Sequence, residues 1–539
     1  MDILEVKRLD HLGLVMGTLR EYGVIDFIDL KLGFNEQHKI STGEIVAAMI
    51  INGLGFVGRP LSLTPQFFES KALDVIFDRD VTADDFNRHR LGRALDDLHM
   101  YGCELLFSEI AMHVSEQIKL DNKFQSVDTT SFSLTGEYDV DTDENTIEIT
   151  HGYSKDHRPD LKQVVLELLT SHEGGIPLMM KCFDGNASDN KIFKERCSKL
   201  LSAFNKGEEP PYLVGDSKLY HEDNADNLSK MKFITRIPRI YNEEQNAITQ
   251  AVSKNAWIVI DKENRYYEYH TNHLNINQRW FVIYSNAANA RSVKTIDKEI
   301  KKEFNSVEIA LKHLRNEAFD SESAAKKAIE KLSKKLSYHK VDASDVVSRD
   351  CYDGAGRPKK DAQPTKTIYK VDGMITFLAE EKQKKLDQKS CFIIGTNADE
   401  NKLSAIEAIE AYKNQNASIE RGFRFLKDPM FFVSSFFIKK PSRVMSLLMV
   451  MTISLLVYSV AQRHIRNTLK EQNETLPNQI NKPVQNPTMR WIFQMMEGIH
   501  VVYTFLNGMK NRAITNMTAL RRKIIGLFYP SAQLIYQIE

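Results

Sequence analysis

Three acidic side chains stand where a carboxylate needs a partner. Asp128 interrupts Gln125–Leu134, a run rich in β-branched and aromatic residues that reads as a strand. A carboxylate in a buried strand is costly unless a cation or hydrogen bonds compensate it, and a metal ion at the strand's end is the simplest compensation. Asp216 ends a second short apolar strand that starts at Pro211. Glu420 lies on a predicted helix and shares one face with Arg424 and Lys427, at +4 and +7. Such a trio suits in-line displacement at a phosphodiester. Two Mg2+ ions ~3.5–4 Å apart stabilise the leaving oxygen and activate a water there. Magnesium takes hard oxygen ligands, one or two carboxylates per ion, with Mn2+ as a substitute. Arg424 and Lys427 would hold phosphates through charge-assisted hydrogen bonds. Singly, each acid has a plainer reading: a strand-end Asp as turn former, or Glu420 as the i,i+4 partner of Arg424. Their joint order along the chain carries the chemistry.

The elements that must position them change in character along the chain. Residues 1–118 read as a helical N-terminal domain for DNA binding or dimerisation. Ser41-Thr-Gly-Glu44 is a capping box opening an apolar helix. Gly53-Leu-Gly-Phe-Val-Gly58 matches the dinucleotide fingerprint but follows a helix, not a strand, so it reads as a helix-ending turn. Thr82–Asp85 starts a second helix bearing Arg88, His89, Arg90 and Arg93, either part of a helix-turn-helix or a solvated basic face. Over 119–235 the pattern turns to strands. Tyr138–Asn145 begins like a calcium loop but has Glu144 at the glycine position and Thr150 at the bidentate Glu position, so it reads as a turn. Thr146–Thr150 is expected as a short strand. Gln163–Leu169 and Pro177–Phe183 are strands about Glu173-Gly-Gly175, followed by a helix over Ile192–Phe204 and the Pro211–Gly215 strand. Three strands, a helix and a fourth strand, with an Asp on the first and fourth, is the order of an RNase H-like core.

Residues 236–399 read as a mostly β insertion. Its strands are Ala256–Ile260, Arg265–Tyr269, Arg279–Tyr284 and Cys391–Thr396, with a charged helical hairpin over Asp297–Ser337 and a loop at Gly354–Lys360. Residues 400–470 return to the core. The Leu403–Lys427 helix buries Ile419, Phe423 and Leu426, and an apolar helix follows over 444–461. A linker at Asn473–Pro487 leads into a helical C-terminal tail, 471–539. The expected fold class is therefore α/β: an RNase H-like mixed sheet core interrupted by a mostly β insertion, with a helical N-terminal domain and a helical tail.

At 539 residues, 42% hydrophobic and 27% charged, the chain has the composition of a soluble globular protein of two to four domains. Its formal net charge of zero excludes a general polyanion binder, but residues 420–539 hold 16 Lys and Arg against 6 Asp and Glu. Five scattered cysteines without a C-x-x-C pair indicate neither zinc nor a disulfide framework and fit a reducing cytoplasm. The N-terminus lacks signal-peptide order. The uncharged stretch 444–461 is at the short limit for a bilayer span and carries Ser446, Thr452, Ser454 and Ser459. It reads as a buried core helix, with no stable membrane association expected.

Five segments carry a family resemblance: Val127-Asp128-Thr-Thr-Ser, His151-Gly-Tyr-Ser-Lys-Asp-His-Arg-Pro-Asp-Leu-Lys-Gln163, Val214-Gly-Asp216-Ser, Gln278-Arg-Trp-Phe-Val-Ile-Tyr-Ser285 and Ile419-Glu420-Arg-Gly-Phe-Arg424-Phe-Leu-Lys427. The chain from about 120 to 470 resembles the bacterial insertion-sequence DDE transposases, in the branch with a β-rich insertion and a Tyr-Arg-Glu-Lys signature. The resemblance implies that Asp128, Asp216 and Glu420 are the metal-binding triad, with two Mg2+ ions per active site. Glu420 and Lys427 keep the E-x6-K spacing. Tyr412 stands eight residues before Glu420 rather than seven, and Gln415 or Asn416 occupies the Arg position, with Arg424 as a replacement cation. His151, Lys155, His157 and Arg158 would line the substrate groove. Trp280 would stack on a flipped base, or, from its place in an alternating strand, be a core ring. The implied activity is binding of terminal inverted repeats, Mg2+-dependent strand cleavage and transfer of the 3′-hydroxyl to double-stranded target DNA by a homodimer. The implied location is the nucleoid of a bacterial cytoplasm. The irregular Tyr412 spacing motivates an alternative, a catalytically inactive DNA-binding derivative.

Overall fold

The computed structural model describes residues 2–33, 38–56, 59–138, 146–156, 158–188, 192, 196, 210–342, 346–353, 363–431, 438–506 and 509–538. The chain divides into two compact units: residues 1–235, 274–276 and 407–539, and residues 236–273 and 277–406.

The first unit opens with strand β1 (Asp2–Arg8), where the sequence led us to expect helix. Helices follow, among them Leu12–Glu21, Val24–Leu32, Thr42–Leu54, Arg88–Tyr101 and Cys103–Gln117. Both halves of the capping box at Ser41 form: Glu44 N–H donates to Ser41 Oγ at 3.0 Å and Ser41 N–H to Glu44 Oε2 at 2.9 Å. The Thr42–Leu54 helix runs straight into the Gly-rich turn, so no strand precedes that motif; its Val57 and Gly58 lie outside the described residues. Of the basic residues on the Arg88–Tyr101 helix, Arg90 is buried and donates through Nη2 to Ile40 O and Thr42 Oγ1, whereas Arg88, His89 and Arg93 are exposed.

A sheet then forms from β2 (Phe124–Leu134), β3 (Lys162–Ser171), β4 (Pro177–Phe183), β5 (Tyr212–Gly215) and β6 (Lys232–Arg236). Their spatial order is β4-β3-β2-β5-β6. The β2–β3 and β3–β4 pairs are antiparallel, and β2–β5 and β5–β6 are parallel. β5 is buried along its whole length, which is why it reads as a continuous apolar run rather than an alternating one. Thr146–Thr150 is not a strand. Only Thr150 bridges to Gln163, because Glu148 N–H donates to Asp184 Oδ1 and its carbonyl accepts from Gly185 N–H. Most of the acidic turn at Tyr138–Asn145, and all of the Ile192–Phe204 helix except Ile192 and Arg196, lie outside the described residues.

The second unit contains β7 (Ile258–Val259), β8 (Asn264–His273), β9 (Ile276–Ser285), β10 (His339–Asp342), β11 (Val346–Cys351), β12 (Lys366–Val371), β13 (Met374–Phe377) and β14 (Cys391–Thr396). Four strands lie in the order β14-β9-β8-β7, and β10–β13 and β11–β12 form two-stranded ribbons. The unit is mixed rather than mostly β. Helices Asn242–Lys254, Asn286–Asn316, Glu322–Ser333 and Ala379–Ser390 lie among its described residues. Their charged faces hide short apolar stripes, as in the separate small core of Val307, Leu311, Ala325, Ile329, Val341 and Val371. The loop Gly354–Lys360 lies outside the described residues.

The chain returns to the first unit through helix Ala405–Leu426 and helix Pro441–Glu471. The latter is long and apolar enough to cross a bilayer, yet 83% of its apolar window is buried in the fold. Its hydroxyls are satisfied internally: Ser446 donates to Leu95 O at 2.7 Å, Thr452 to Leu448 O and Ser454 to Val450 O. One continuous core joins this helix to the N-terminal helices, one face of the β2–β4 sheet and the tail. The tail is not wholly helical. β15 (Leu476–Pro477) and β16 (Pro483–Val484) form a small ribbon in the expected linker, and β17 (His500–Leu506) and β18 (Met509–Thr515) form a hairpin. β1 adds to that hairpin antiparallel, Val6 opposite Val502 and Arg8 opposite His500. The Val-Val-Tyr-Thr-Phe run favours the pleated conformation, and β1 satisfies its outer edge.

Candidate active site

The two aspartates belong to neighbouring strands, Asp128 within β2 and Asp216 directly after β5. In the parallel β2–β5 pair, Phe124 faces Tyr212, Gln125 faces Leu213 and Ser126 faces Val214. Asp128 lies two residues beyond the last of these pairs within β2, and Asp216 two residues beyond it, directly after β5 ends at Gly215. Asp216 thus stands at the carboxyl end of β5, whereas β2 runs on past Asp128 to Leu134. Both side chains are half-buried. Asp128 Oδ1 accepts from Thr129 N–H at 2.7 Å. Asp216 Oδ1 accepts from Lys218 N–H at 2.9 Å, an Asx turn, while its carbonyl accepts from Thr235 Oγ1 at 2.8 Å.

The loop after His151 lies along β2 beside Asp128. Lys155 Nζ donates to Thr129 O at 2.6 Å and Thr129 Oγ1 at 2.8 Å, and its N–H donates to Ser131 Oγ at 3.2 Å. Gln163 is buried and donates through Nε2 to Gly185 O at 2.7 Å and Tyr153 O at 3.2 Å. Gly152 is required by this packing: a Cβ there would lie 1.9 Å from Gly185 O and 2.6 Å from Gln163 Nε2. His151 and Arg158 are exposed, Arg158 bound to Asp160 at 2.7 Å, and His157 lies outside the described residues.

The Ala405–Leu426 helix runs in the same direction as β2. Near its start Glu407 Oε1 meets Lys123 Nζ at 2.9 Å. Further on, Ser418 O lies 3.1 Å from where a Gly175 Cβ would sit, in the β3–β4 turn. Just past its end Lys427 Nζ meets Asp156 Oδ1 at 2.7 Å and lies 5.5 Å from the centre of the Phe132 ring. Glu420 falls between the last two anchors along the helix. Ile419, Phe423 and Leu426 are buried, and Glu420 and Arg424 are exposed on the opposite face. Among the described residues no three acidic, His or Cys side chains converge to metal-ligating distance, so Asp128, Asp216 and Glu420 do not form a closed three-carboxylate cluster. Tyr412 is half-buried on this helix, and Gln415 is buried at 3% exposure.

The Transposase DDE domain family matches residues 121–457, well over half of the chain, and spans all three carboxylates. The chain belongs to the DDE transposase family. Ahead of the transposase domain, residues 4–112 match a domain of unknown function, DUF4277. No curated protein matches the transposase chain. A piggyBac transposase in a synaptic complex with hairpin DNA is similar over 91% of this chain and 80% of its own, at 8% identity and a TM-score of 0.37; the identification does not rest on it.

In the second unit of this transposase, Trp280 is fully buried. Its Nε1 donates to Gln278 Oε1 at 2.8 Å, and Tyr269 and His273 pack against the ring. It is a core ring and offers no face for a base to stack on. Sequence reasoning missed two buried titratable groups in the sheet that carries Asp128. Glu167 on β3, opposite Thr129, is fully buried against Arg196, with Nε 2.6 Å from Oε2, and burial pushes its carboxyl up. The signal was a lone acid inside Val-Val-Leu-Glu-Leu-Leu. His172 Nε2 lies 2.6 Å from Ser126 Oγ, and burial lowers the imidazole to about 4, so it is neutral at pH 7.

Proposed function

We propose that this DDE transposase cleaves DNA strands and joins the freed 3′-hydroxyls to target DNA, with Asp128, Asp216 and Glu420 as its metal-binding carboxylates. The observation that carries the reading is that Asp128 and Asp216 follow the Ser126–Val214 pair by two residues each, on and just after two adjacent parallel strands. The strand order β4-β3-β2-β5-β6, with its first three members antiparallel, supports an RNase H-like core. Two carboxylates from adjacent strands, each accepting a backbone N–H, are hard oxygen ligands of the kind a Mg2+ ion takes. Bound there, the metal supplies a stabilised leaving oxygen and an activated water. The chain's own part is positional. Asp128 presents its carboxylate from within β2 and Asp216 from just after β5, Lys155 fixes β2 beside Asp128, and the helix carries Glu420 along the same strand. Arg424 and Lys427 project from that helix as phosphate contacts. Family membership supports double-stranded DNA as substrate. Recognition of the element's inverted repeats, a homodimer on paired ends and residence at the nucleoid belong to the same reading.

The test is a nicking and strand-transfer assay on the DNA flanking the gene, with Mg2+. Asp128→Ala, Asp216→Ala and Glu420→Ala should each abolish cleavage and retain end binding in a gel-shift measurement. Undiminished metal-dependent cutting by all three variants would refute the assignment.

A further inference from the structure

Two cations that the proposed function would offer to DNA are already occupied by acids of one loop. Lys427 Nζ is 2.7 Å from Asp156 Oδ1, and Arg158 forms a forked pair with Asp160, Nη2 to Oδ2 at 2.7 Å and Nε to Oδ1 at 2.9 Å. Asp156 and Asp160 belong to the His151–Asp160 loop that lies beside Asp128. Asp156 is held in place. Its neighbour Lys155 makes three hydrogen bonds to Thr129 and Ser131 on β2, and Gln163 and the close approach of Gly152 to Gly185 clamp the loop's start. Lys427 is confined from the other side by the Phe132 ring. The pair is partly exposed, 26% for Lys427 and 37% for Asp156, so a phosphate can approach and compete.

We propose that Asp156 is a built-in stand-in for a DNA phosphate: its carboxylate occupies Lys427 in the free protein, and DNA must displace it to engage that lysine. This rests on the proposed DNA-processing role. The carboxylate and a phosphate oxygen ask the same of an ammonium group, a charge-assisted hydrogen bond near 2.8 Å. The exchange penalises weak, misaligned DNA, which gains one phosphate contact but loses one internal pair. Correctly seated DNA adds contacts elsewhere and overcomes it. The same logic applies to Asp160 and Arg158.

The test is a double-mutant cycle on the full chain. Binding of a duplex from the flanking DNA, and of a scrambled duplex, is measured for wild type, Asp156→Asn, Lys427→Gln and the double variant across a salt series. Thermal unfolding verifies that each folds. Asp156→Asn should bind both duplexes roughly two- to fivefold more tightly, the range an exposed ion pair spans. The gain should be larger for the scrambled duplex, fade at high salt and vanish in the Lys427→Gln background. A gain that persists without Lys427 would mean that removing any nearby negative charge suffices, and would overturn the proposal. So would an Asp156→Asn variant that binds no more tightly than wild type. Failure of every protein, wild type included, to bind either duplex would overturn the DNA-processing reading and the proposal with it.

Discussion

Replacing Gly152 by Ala tests the loop that seats Lys155 and Asp156. At a glycine with ordinary negative φ, Ala stabilises a protein by about 0.4–1 kcal/mol, because it restricts the unfolded chain. Here the sign should reverse. The new Cβ would lie 1.9 Å from Gly185 O, whereas ordinary contact begins at 3.4 Å, so the loop or the Gly185 turn must move by about 1.5 Å. Neither yields easily. Gly185 is pinned by Gln163 Nε2 on its carbonyl and by Glu148 O on its N–H. Overpacking of this kind costs about 1–3 kcal/mol. Loss of the Gln163–Gly185 hydrogen bond adds about 1 kcal/mol. A shift of that size also carries Lys155 away from Thr129, which it now meets at 2.6 Å, and Asp156 away from Lys427. Gly152→Ala should therefore lower stability in urea unfolding by about 2–4 kcal/mol and reduce strand cleavage while the metal-dependent profile keeps its shape. A variant as stable as wild type, or more so, with unchanged cleavage, would refute the close approach and the loop's role in seating Lys155.

Other consequences follow from burial. His11 is enclosed, bonded through Nε2 to Leu54 O at 2.8 Å and stacked on Phe493; burial holds its imidazole near 4 rather than the usual 6.5. The unfolded chain takes up the proton first, so stability from this group is complete above pH 6.5 and is lost as pH falls towards 4, by about 3 kcal/mol in all. Urea unfolding of wild type and His11→Gln between pH 7 and pH 4 should show the variant lacking this component; parallel pH profiles would count against it. Trp280→Ala should destabilise the fold by about 3–5 kcal/mol, since it empties a fully buried ring site. A stable Trp280→Ala variant that loses only DNA processing would instead restore the ring as a substrate contact.

The amino-acid sequence by itself determined the local pieces. β4 and β14 run over the residues their patterning marks, Pro177–Phe183 and Cys391–Thr396. The capping box at Ser41 opens its helix as the residue types require, and Ile419, Phe423 and Leu426 turn inward at helical spacing, leaving Glu420 and Arg424 outside. These follow from nearest-neighbour preferences and periodicity, which short segments carry in full. Tertiary structure decided the pairings. Nothing local brings β1 to β17 from opposite ends of the chain, yet their facing edges pair along Asp2–Arg8. Alternation around Trp280 marks two faces of a strand but not which face is covered, and packing against Tyr269 and His273 settles that. Asp128 and Asp216 likewise come from neighbouring strands only because β2 and β5 pair in parallel, a long-range hydrogen-bond choice that no spacing between the two residues encodes.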